Sequence, residues 1–253
     1  MFKDFKRFLF LPSLLVTQIL SIAARSETKE YAKLCDEIIL SHSKDVLIQH
    51  LTAFSAWPYR LKSKSVKFNE VEKFLSNSKI LEILSKFDAR FVGTIPLSLD
   101  HAKSDIDIIC DAKNVEKAHT EIVDILKEIP HFVSIEDSYK PSRKYDTALI
   151  KGMAHVSDDQ CIPLEIYIES KDVSEQNGYI HMVIEYLLLQ IFPEKFSLIK
   201  LAKEQQSKTE IAFASIFDLV SETDLDNSYD ILHKLYKDIS SGIRNNCAAT
   251  PGI

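Results

Sequence analysis

The first third of the chain repeats apolar residues with the period of an α-helix. Between residues 28 and 57 these residues recur three and four positions apart, at Tyr31, Leu34, Ile38, Ile39, Val46, Leu47 and Leu51. The spacing predicts two helices, and the polar run Ser41-His42-Ser43 predicts the break between them. A second run of the same period at residues 69–87 predicts another helix or a pair of helices.

The middle of the chain changes to the period of a β-strand. Acidic and aliphatic residues alternate from Asp105 to Cys110, which predicts a strand with one buried face. A shorter strand is predicted at residues 90–94, and the segment that joins the two is expected to form a turn or a short helix. Asn114 is a typical helix N-cap, so a helix is expected from there to about Ile129.

Three further strands are predicted at residues 132–135, 146–156 and 162–169. The polar turn between the last two indicates a hairpin. Beyond them the pattern is helical. Ser174 is expected to cap a long apolar helix that ends before Pro193, and two or three more helices are expected at residues 194–241. This order of elements predicts an α+β fold with a helical C-terminal part.

A basic stretch at residues 58–67 indicates a solvated linker, with a domain boundary near residue 65. The chain is therefore expected to comprise a helical N-terminal extension at 1–65, an α+β core at 66–172 and C-terminal helices at 173–245.

Composition and charge narrow the classes of function. The 253 residues are 45% hydrophobic, enough for a sizeable core, and include only five glycines. Neither GxGxxG nor GxxxxGK[ST] occurs, which argues against a glycine-rich dinucleotide loop or a P-loop. The net charge of -6 argues against a platform for duplex nucleic acid. The cysteines are widely spaced, so reduced thiols are expected, with Cys110 and Cys161 as small buried residues.

The N-terminal segment has two interpretations. Residues 1–7 include basic side chains, residues 8–24 are uncharged and mostly apolar, and Ser21-Ile22-Ala23 would suit signal-peptidase cleavage. The protein is either exported after cleavage or cytoplasmic, with this segment as an amphipathic or buried helix. The run is short for a membrane span, so membrane contact is expected only through residues 1–24.

The acidic strand carries candidate chemistry. Asp105 and Asp107 are two residues apart, so a strand directs both carboxylates to one face. Such a pair repels unless a cation bridges it or one group binds a proton. Mg²⁺ prefers oxygen ligands of this kind and leaves positions for phosphate oxygens. Glu165, an acid between aliphatic residues of a later strand, is a candidate third ligand, with Glu169 as its competitor. The alternative is a solvated strand face.

Two other groups of residues are candidates for substrate contacts. His181 and Glu185 are four residues apart on one helix face, and they either line a substrate pocket or form part of an ordinary packed helix. Lys208 either reaches a phosphate or begins a helix that Thr209 caps.

Several blocks of the sequence resemble the polymerase-β-like nucleotidyltransferase superfamily. They are Val92-Gly93-Thr94, then after a gap Ser104-Asp105-Ile106-Asp107-Ile108, and later Leu164-Glu165-Ile166. With Glu175-Gln176-Asn177, His181-Met182 and Lys208-Thr209-Glu210, the chain is more closely similar to an uncharacterised bacterial family of nucleotidyltransferase-like domains. The resemblance covers residues 75–235 and leaves the N-terminal part unexplained.

The resemblance implies a mixed β-sheet flanked by helices and a metal site for Mg²⁺ or Mn²⁺ at Asp105, Asp107 and Glu165. It implies that a nucleoside triphosphate is the substrate and that Gly93 and Thr94 contact its phosphates. Ser104, Lys103, His181 and Lys208 are further candidates for nucleotide contact. The implied reaction transfers a nucleoside monophosphate to an acceptor. One departure is that Ile95-Pro96-Leu97 follow Thr94, where the superfamily often has a basic residue, and Lys103 could replace it.

Three functions therefore stay open. The first is a metal-dependent nucleotidyltransferase whose acceptor is a small molecule, a protein side chain or a nucleic acid 3′ end. The second is a non-catalytic descendant of this fold that binds a nucleotide or a partner protein. The third is a toxin or exported effector component. The first favours the cytoplasm, where ATP is abundant.

Overall fold

The computed structural model describes residues 29–61, 64–141, 146–157, 160–206, 208–220 and 225–248. The segment at residues 1–24, for which a signal or an amphipathic helix is expected, lies outside this range. Within the described residues, no helix has the length and apolar character needed to cross a membrane.

The N-terminal part is helical, as its period predicts. Helix α1 occupies residues 29–41, α2 Lys44–Leu51, α3 Val66–Ser78 and α4 Ile80–Ile83. Ser43 begins α2 by accepting a hydrogen bond from the Val46 amide, and Ser65 begins α3 in the same way through the Phe68 amide. The predicted break at residues 41–43 and the predicted pair of helices at 69–87 are both confirmed.

Five strands form one mixed sheet. They are β1 Arg90–Val92, β2 Ile106–Asp111, β3 Phe132–Pro141, β4 Asp146–Ser157 and β5 Gln160–Glu169. Their order across the sheet is β1-β2-β5-β4-β3, and β2 pairs with β5 in parallel while the other neighbours are antiparallel. Strand β3 is longer than predicted, because its polar second half continues to pair with β4. The predicted β4–β5 hairpin is confirmed.

Helices cover the sheet and form the C-terminal part. Helix α5, Val115–Glu128, follows β2 and begins at Asn114, whose side chain accepts a hydrogen bond from the Lys117 amide, as predicted. After β5 come α6 Asn177–Ile191, α7 Phe196–Gln206, α8 Thr209–Ile216 and α9 Ser228–Ala248. The predicted α+β architecture, a mixed sheet flanked by helices with a helical C-terminal segment, is confirmed.

Two predicted caps are wrong. Ser174 lies in the 3-10 turn Val173–Glu175, where its own amide donates to the side chain of Asp172, and α6 begins only after Gln176. Thr209 is the first residue of α8 and is buried, so Lys208 is the N-cap residue and makes no side-chain capping bond. In both places a residue type that often caps helices lies near the start of a helix, but a neighbouring residue occupies the N-cap position.

The N-terminal helices are part of the main core. Leu34, Ile38 and Leu47 belong to the same buried cluster as the sheet and α6. The Tyr31 hydroxyl donates to Asp238 on α9 at 2.7 Å, and the Tyr59 hydroxyl donates to the Phe91 carbonyl on β1 at 2.5 Å. These bonds join residues 29–61 to both the C-terminal helices and the sheet.

The cysteine prediction is partly wrong. Cys35, Cys110 and Cys161 are free thiols, and Cys110 is buried as expected. Cys161 is exposed, because its side chain lies on the outer face of β5, whereas the next residue, Ile162, lies on the buried face.

Candidate active site

Three carboxylates converge where β2 and β5 run side by side. Asp107 and Glu165 are direct register partners of this parallel pair, and Asp105 immediately precedes the first residue of β2. One oxygen from each side chain lies within 4.8 Å of the others. The strand period places Asp105 and Asp107 on one face, and the parallel register adds Glu165 to it.

The convergence has electrostatic consequences. Burial, reinforced by the charges of Asp105 and Glu165, raises the pKa of Asp107 to about 8, and Lys203 opposes this shift. Burial also acts to raise the pKa of Glu165, but hydrogen bonds from Lys151 and Tyr167, both at 2.5 Å, outweigh it and hold that pKa below its ordinary value. The site is therefore a cluster of acidic groups in which Glu165 forms an ion pair with Lys151, whereas no ion pair of Asp107 is found within the described part of the chain.

The donor set fits a hard divalent cation. Mg²⁺ and Mn²⁺ prefer carboxylate oxygens, and all three side chains are half-buried, so they are held in place while solvent and ligands can still reach them. An ion here would relieve the repulsion that adds to the effect of burial in raising the pKa of Asp107. Asp105, Asp107 and Glu165 are thus brought together as the sequence suggested, on the face that also carries Tyr167.

Gly93 lies against the acidic cluster for a steric reason. Its φ of 89° is in the left-handed region, and a β-carbon added to it would overlap the carboxylate of Asp107. Thr94 next to it donates its hydroxyl to Ser104 at 3.3 Å, and its carbonyl accepts the amides of Leu97 and Leu99. The glycine therefore permits the chain to turn directly over the carboxylate.

The loop that joins β1 to β2 is tied down by two lysines that the sequence did not single out as site residues. Lys67 on α3 donates to the carbonyls of His101, Ala102 and Ser104 at 2.9, 3.2 and 2.9 Å. The predicted solvation of this basic residue is wrong, since its ammonium group has loop carbonyls as partners. Ser104 is buried and accepts the His101 amide.

Lys203 on α7 is the second of these lysines. It is 3% exposed and donates to the Leu99 carbonyl at 3.1 Å. Burial lowers its pKa, and the charges of Glu185 and three aspartates, including Asp105 and Asp107, oppose that shift. The signal that could have found it is helical: Lys203 is four residues after buried Ile199, so both share the inner face of α7.

A cavity of about 460 Å³ extends from Gly93 and Asp107 along β2 and β5. It ends against the first turns of α6, α8 and α9, which contribute His181, Glu210 and Tyr229. The His181 ring stacks on Tyr229 with 4.0 Å between centroids, and burial followed by the charge of His233 lowers the pKa of His181 to about 4. His181 is thus both buried and part of the cavity wall.

The remaining candidates are distributed unevenly. Glu185 lines the cavity with His181, as the shared helix face suggested. Lys103 and Lys208 are exposed and are not among the residues that line the cavity. Glu210 and Tyr229 also line it, although sequence analysis assigned neither a role. Glu210 belongs to a block that carries the family resemblance, but helices from distant parts of the chain meet only in the tertiary structure.

The family comparison gives one match over most of the chain. The sequence model of the family described as "Domain of unknown function (DUF4269)" matches residues 73–232. These residues contain the acidic cluster, Gly93, Lys203 and the whole cavity wall. A comparison with curated proteins found no match.

Solved structures of low similarity include three polymerases or complexes. The GLD-2/RNP-8 complex has a TM-score of 0.41 at 11% identity, covering 69% of this chain and 62% of that one. The Cid1 poly(U) polymerase has a TM-score of 0.35 at 13% identity, covering 68% and 44%. The polymerase core of TRAMP, an RNA surveillance complex, has a TM-score of 0.34 at 15% identity, covering 79% and 68%. These TM-scores and sequence identities are low. The chain spans less than two thirds of the length of the first two proteins.

Proposed function

The chain belongs to the DUF4269 family, and we propose that it is a metal-dependent nucleotidyltransferase. The observation that carries this proposal is the convergence of Asp105, Asp107 and Glu165 within 4.8 Å. Gly93 lies beside them, at a position where the carboxylate of Asp107 leaves no room for a β-carbon. The motif resemblance of these residues points to the same chemistry. An anionic cluster next to a cavity, with the buried Lys203 and the half-buried Lys67 bonded to the adjoining loop, suits a reaction on phosphate groups.

In the proposed reaction an acceptor oxygen forms a bond to the α-phosphorus of a nucleoside triphosphate. The bond between that phosphorus and the oxygen bridging to the β-phosphate breaks, pyrophosphate leaves, and the acceptor hydroxyl loses its proton to solvent. Mg²⁺ or Mn²⁺ held by the three carboxylates would supply stabilisation of the charge on the phosphate oxygens.

The chain's own residues have separate roles in this proposal. Gly93 leaves room for a phosphate to approach the backbone, and Thr94 offers a hydroxyl and an amide. Lys203 supplies the positive charge that is missing directly after Thr94, since its ammonium group influences the pKa of Asp107 and lies behind the same loop. Lys103 and Lys208 stay predictions for phosphate contact, and a cytoplasmic location stays a prediction that follows from the use of a triphosphate.

One observation favours a second candidate function, a non-catalytic nucleotide-binding or protein-binding domain. The ammonium group of Lys151 donates to Glu165 at 2.5 Å, so one of the three carboxylates has an internal cation as partner. A lysine that stays there would weaken metal binding. The two candidates differ in whether a divalent ion binds with the nucleotide.

Calorimetry separates the candidates. ATP and GTP are titrated into the wild-type protein with Mg²⁺ and with EDTA, and the titrations are repeated with Asp105→Asn/Asp107→Asn. Asp111→Asn is the matched control, because Asp111 lies on the same strand outside the three-carboxylate cluster. We expect Mg²⁺-dependent binding in the wild type and the control, and its loss in the double variant.

Equal binding by wild type and double variant, or no binding by either, would contradict the metal-dependent proposal. Nucleotide binding that does not depend on Mg²⁺ would favour the non-catalytic alternative. Incubation of the wild type with an α-phosphate-labelled nucleotide and candidate acceptors then tests for transfer.

A further inference from the structure

The cavity beside Asp107 has an unusual balance of charge. Besides Asp107 itself, it is lined by Glu169 from β5, Glu185 from α6 and Glu210 from α8. No lysine or arginine is present among the described residues that line it. Burial, followed by the charge of Glu210, raises the pKa of Glu185 well above its ordinary value, although Lys203 opposes this shift. Glu185 therefore favours its protonated form, and a cation bound beside it would favour the ionised form. Four carboxyl groups with no lysine or arginine among the described lining residues disfavour an anion and favour a cation.

Two buried polar atoms of this wall have no hydrogen-bond partner among the residues that the structure describes. The amide nitrogen of Gln176 donates to the carbonyls of Cys110 and Lys171 at 2.9 and 2.8 Å, which fixes the orientation of its side chain. Its oxygen then has no hydrogen-bond partner within the described part of the chain, although Gln176 is only 1% exposed. The Nε2 atom of His181, which is 8% exposed, is likewise unpaired there. Both residues line the cavity, and unpaired buried polar atoms are costly, so a ligand that reached these atoms would gain affinity.

These groups define what would fit. Carboxylates and an amide oxygen accept hydrogen bonds, so a matching ligand must be rich in donors, such as hydroxyl and ammonium groups. The stacked rings of His181 and Tyr229 add an aromatic wall, which favours an apolar ring face or a cation. A volume of about 460 Å³ suits a small molecule and not a macromolecule.

Positive charge lies at the loop that joins β1 to β2. Lys203 and Lys67 donate to carbonyls of the loop that joins β1 to β2, and neither lines the cavity. A triphosphate is therefore attracted to this loop, at the end of the cavity that Gly93 and Thr94 line. The part that Glu169, Glu210 and Tyr229 line is left for the second substrate.

We infer that the cavity binds the acceptor, and that the acceptor is a small polyhydroxylated molecule that carries an ammonium group. That the ligand is the acceptor rests on the proposed function, whereas its chemical class rests on the cavity alone. In the transfer step a hydroxyl oxygen of this molecule forms the bond to the α-phosphorus of the triphosphate. The bond from that phosphorus to the departing pyrophosphate breaks, and the hydroxyl proton goes to solvent.

Three hexoses that differ mainly in charge test the inference. Glucosamine is cationic, glucose is neutral and glucuronate is anionic, and all three share one ring scaffold. Their binding to the full chain is measured by ligand-observed NMR without metal or nucleotide. We expect glucosamine to bind at least tenfold more tightly than glucose, and glucuronate to bind least.

Variants locate the binding. Glu169→Gln and Glu185→Gln each remove one carboxyl group from the cavity wall at nearly constant volume, and Glu128→Gln removes an exposed carboxyl group at the end of α5. We expect each of the first two to weaken glucosamine binding at least tenfold and the last to leave it unchanged. Equal affinity for the three sugars, tighter binding of glucuronate, or a wild-type affinity in both cavity variants would overturn the inference.

The two proposals fail in different ways. Glucosamine binding without any Mg²⁺-dependent nucleotide binding would contradict the proposed function and leave the cavity assignment standing. Mg²⁺-dependent nucleotide binding with no preference for the cationic sugar would contradict only the acceptor class. If both bind, labelled ATP, Mg²⁺ and glucosamine together are expected to give a labelled sugar product.

Discussion

Glu165 on β5 lies directly opposite Asp107 on β2, as a register partner in the one parallel pair of strands that the described sheet contains. Parallel register fixes the relation of two carboxylates that are far apart in the sequence, because a shift of one residue would turn Glu165 to the opposite face. With Asp105 the pair forms an anionic cluster whose repulsion a bound cation would relieve.

The first prediction concerns this cluster. Mg²⁺ or Mn²⁺ at a hundredfold excess over its Kd should stabilise the folded chain by about 2.7 kcal/mol, because it binds only the folded site. For a chain of this size the melting temperature should rise by about 5–10 °C. Thermal denaturation with and without metal measures this rise in melting temperature. Asp107→Asn should show no rise, Asp111→Asn should show the full rise, and an equal rise in both would contradict the prediction.

Gly93→Ala should abolish metal binding. The new β-carbon would overlap the Asp107 carboxylate, and the φ of 89° is strained for alanine by about 1–2 kcal/mol. Calorimetric titration with Mn²⁺ checks the binding, and chemical denaturation checks the stability. Gly242→Ala is the control, since its β-carbon would meet only the flexible end of Ile39. A Gly93→Ala variant with wild-type metal affinity would show that the close approach is not needed.

Lys67→Met should release the loop before β2. The change removes a cation that bonds to three carbonyls, so a loss of about 2 kcal/mol of unfolding free energy is expected. Metal affinity should fall as well, because the same loop leads into Asp105. Lys73→Met changes an exposed lysine of the same helix and should cost less than 0.5 kcal/mol, roughly. Similar denaturation midpoints for the two variants would refute the role of Lys67.

Lys203→Met should separate the binding of nucleotide from that of metal. The methionine keeps most of the buried volume but removes the positive charge behind the β1–β2 loop. We expect the affinity for the Mg²⁺–ATP complex to fall at least tenfold, which corresponds to about 1.4 kcal/mol, while Mn²⁺ alone still binds. Calorimetry with ATP and with Mn²⁺ measures the two affinities. An unchanged ATP affinity would remove Lys203 from the proposed phosphate site.

Stability should depend on pH through His181. Burial lowers the pKa of His181 from 6.5 to about 4, so the folded state binds the proton less well than the unfolded state. The contribution of His181 is therefore fully present above pH 6.5 and is lost as the pH falls towards 4, by up to about 3 kcal/mol. Urea denaturation at pH 7 and pH 5 measures the difference. His181→Gln should reduce it and His42→Gln should not.

Local periods predict most of the elements. The break at residues 41–43, the Asn114 cap, the acidic strand and the β4–β5 hairpin depend on residues close in sequence, and all are found in the structure. The errors arose where local signals compete. Ser174 is beside Asp172, which takes the capping role in the turn before α6, and the polar second half of β3 gave no strand period but pairs with β4. The side chain of Asp172 decided the cap before α6, and backbone pairing with β4 decided the length of β3.

The sequence alone determined that Asp105 and Asp107 share a face, because the strand period is a local property, and it singled out Glu165 as an acid among aliphatic residues. The tertiary structure decided that Glu165 joins them, because only the parallel pairing of β2 with β5 brings the three carboxylates within 4.8 Å. It also decided that Lys203 is buried behind the loop and that Glu169, Glu185 and Glu210 meet in one cavity. These relations join residues on separate helices and strands, and no local period specifies how such elements pack.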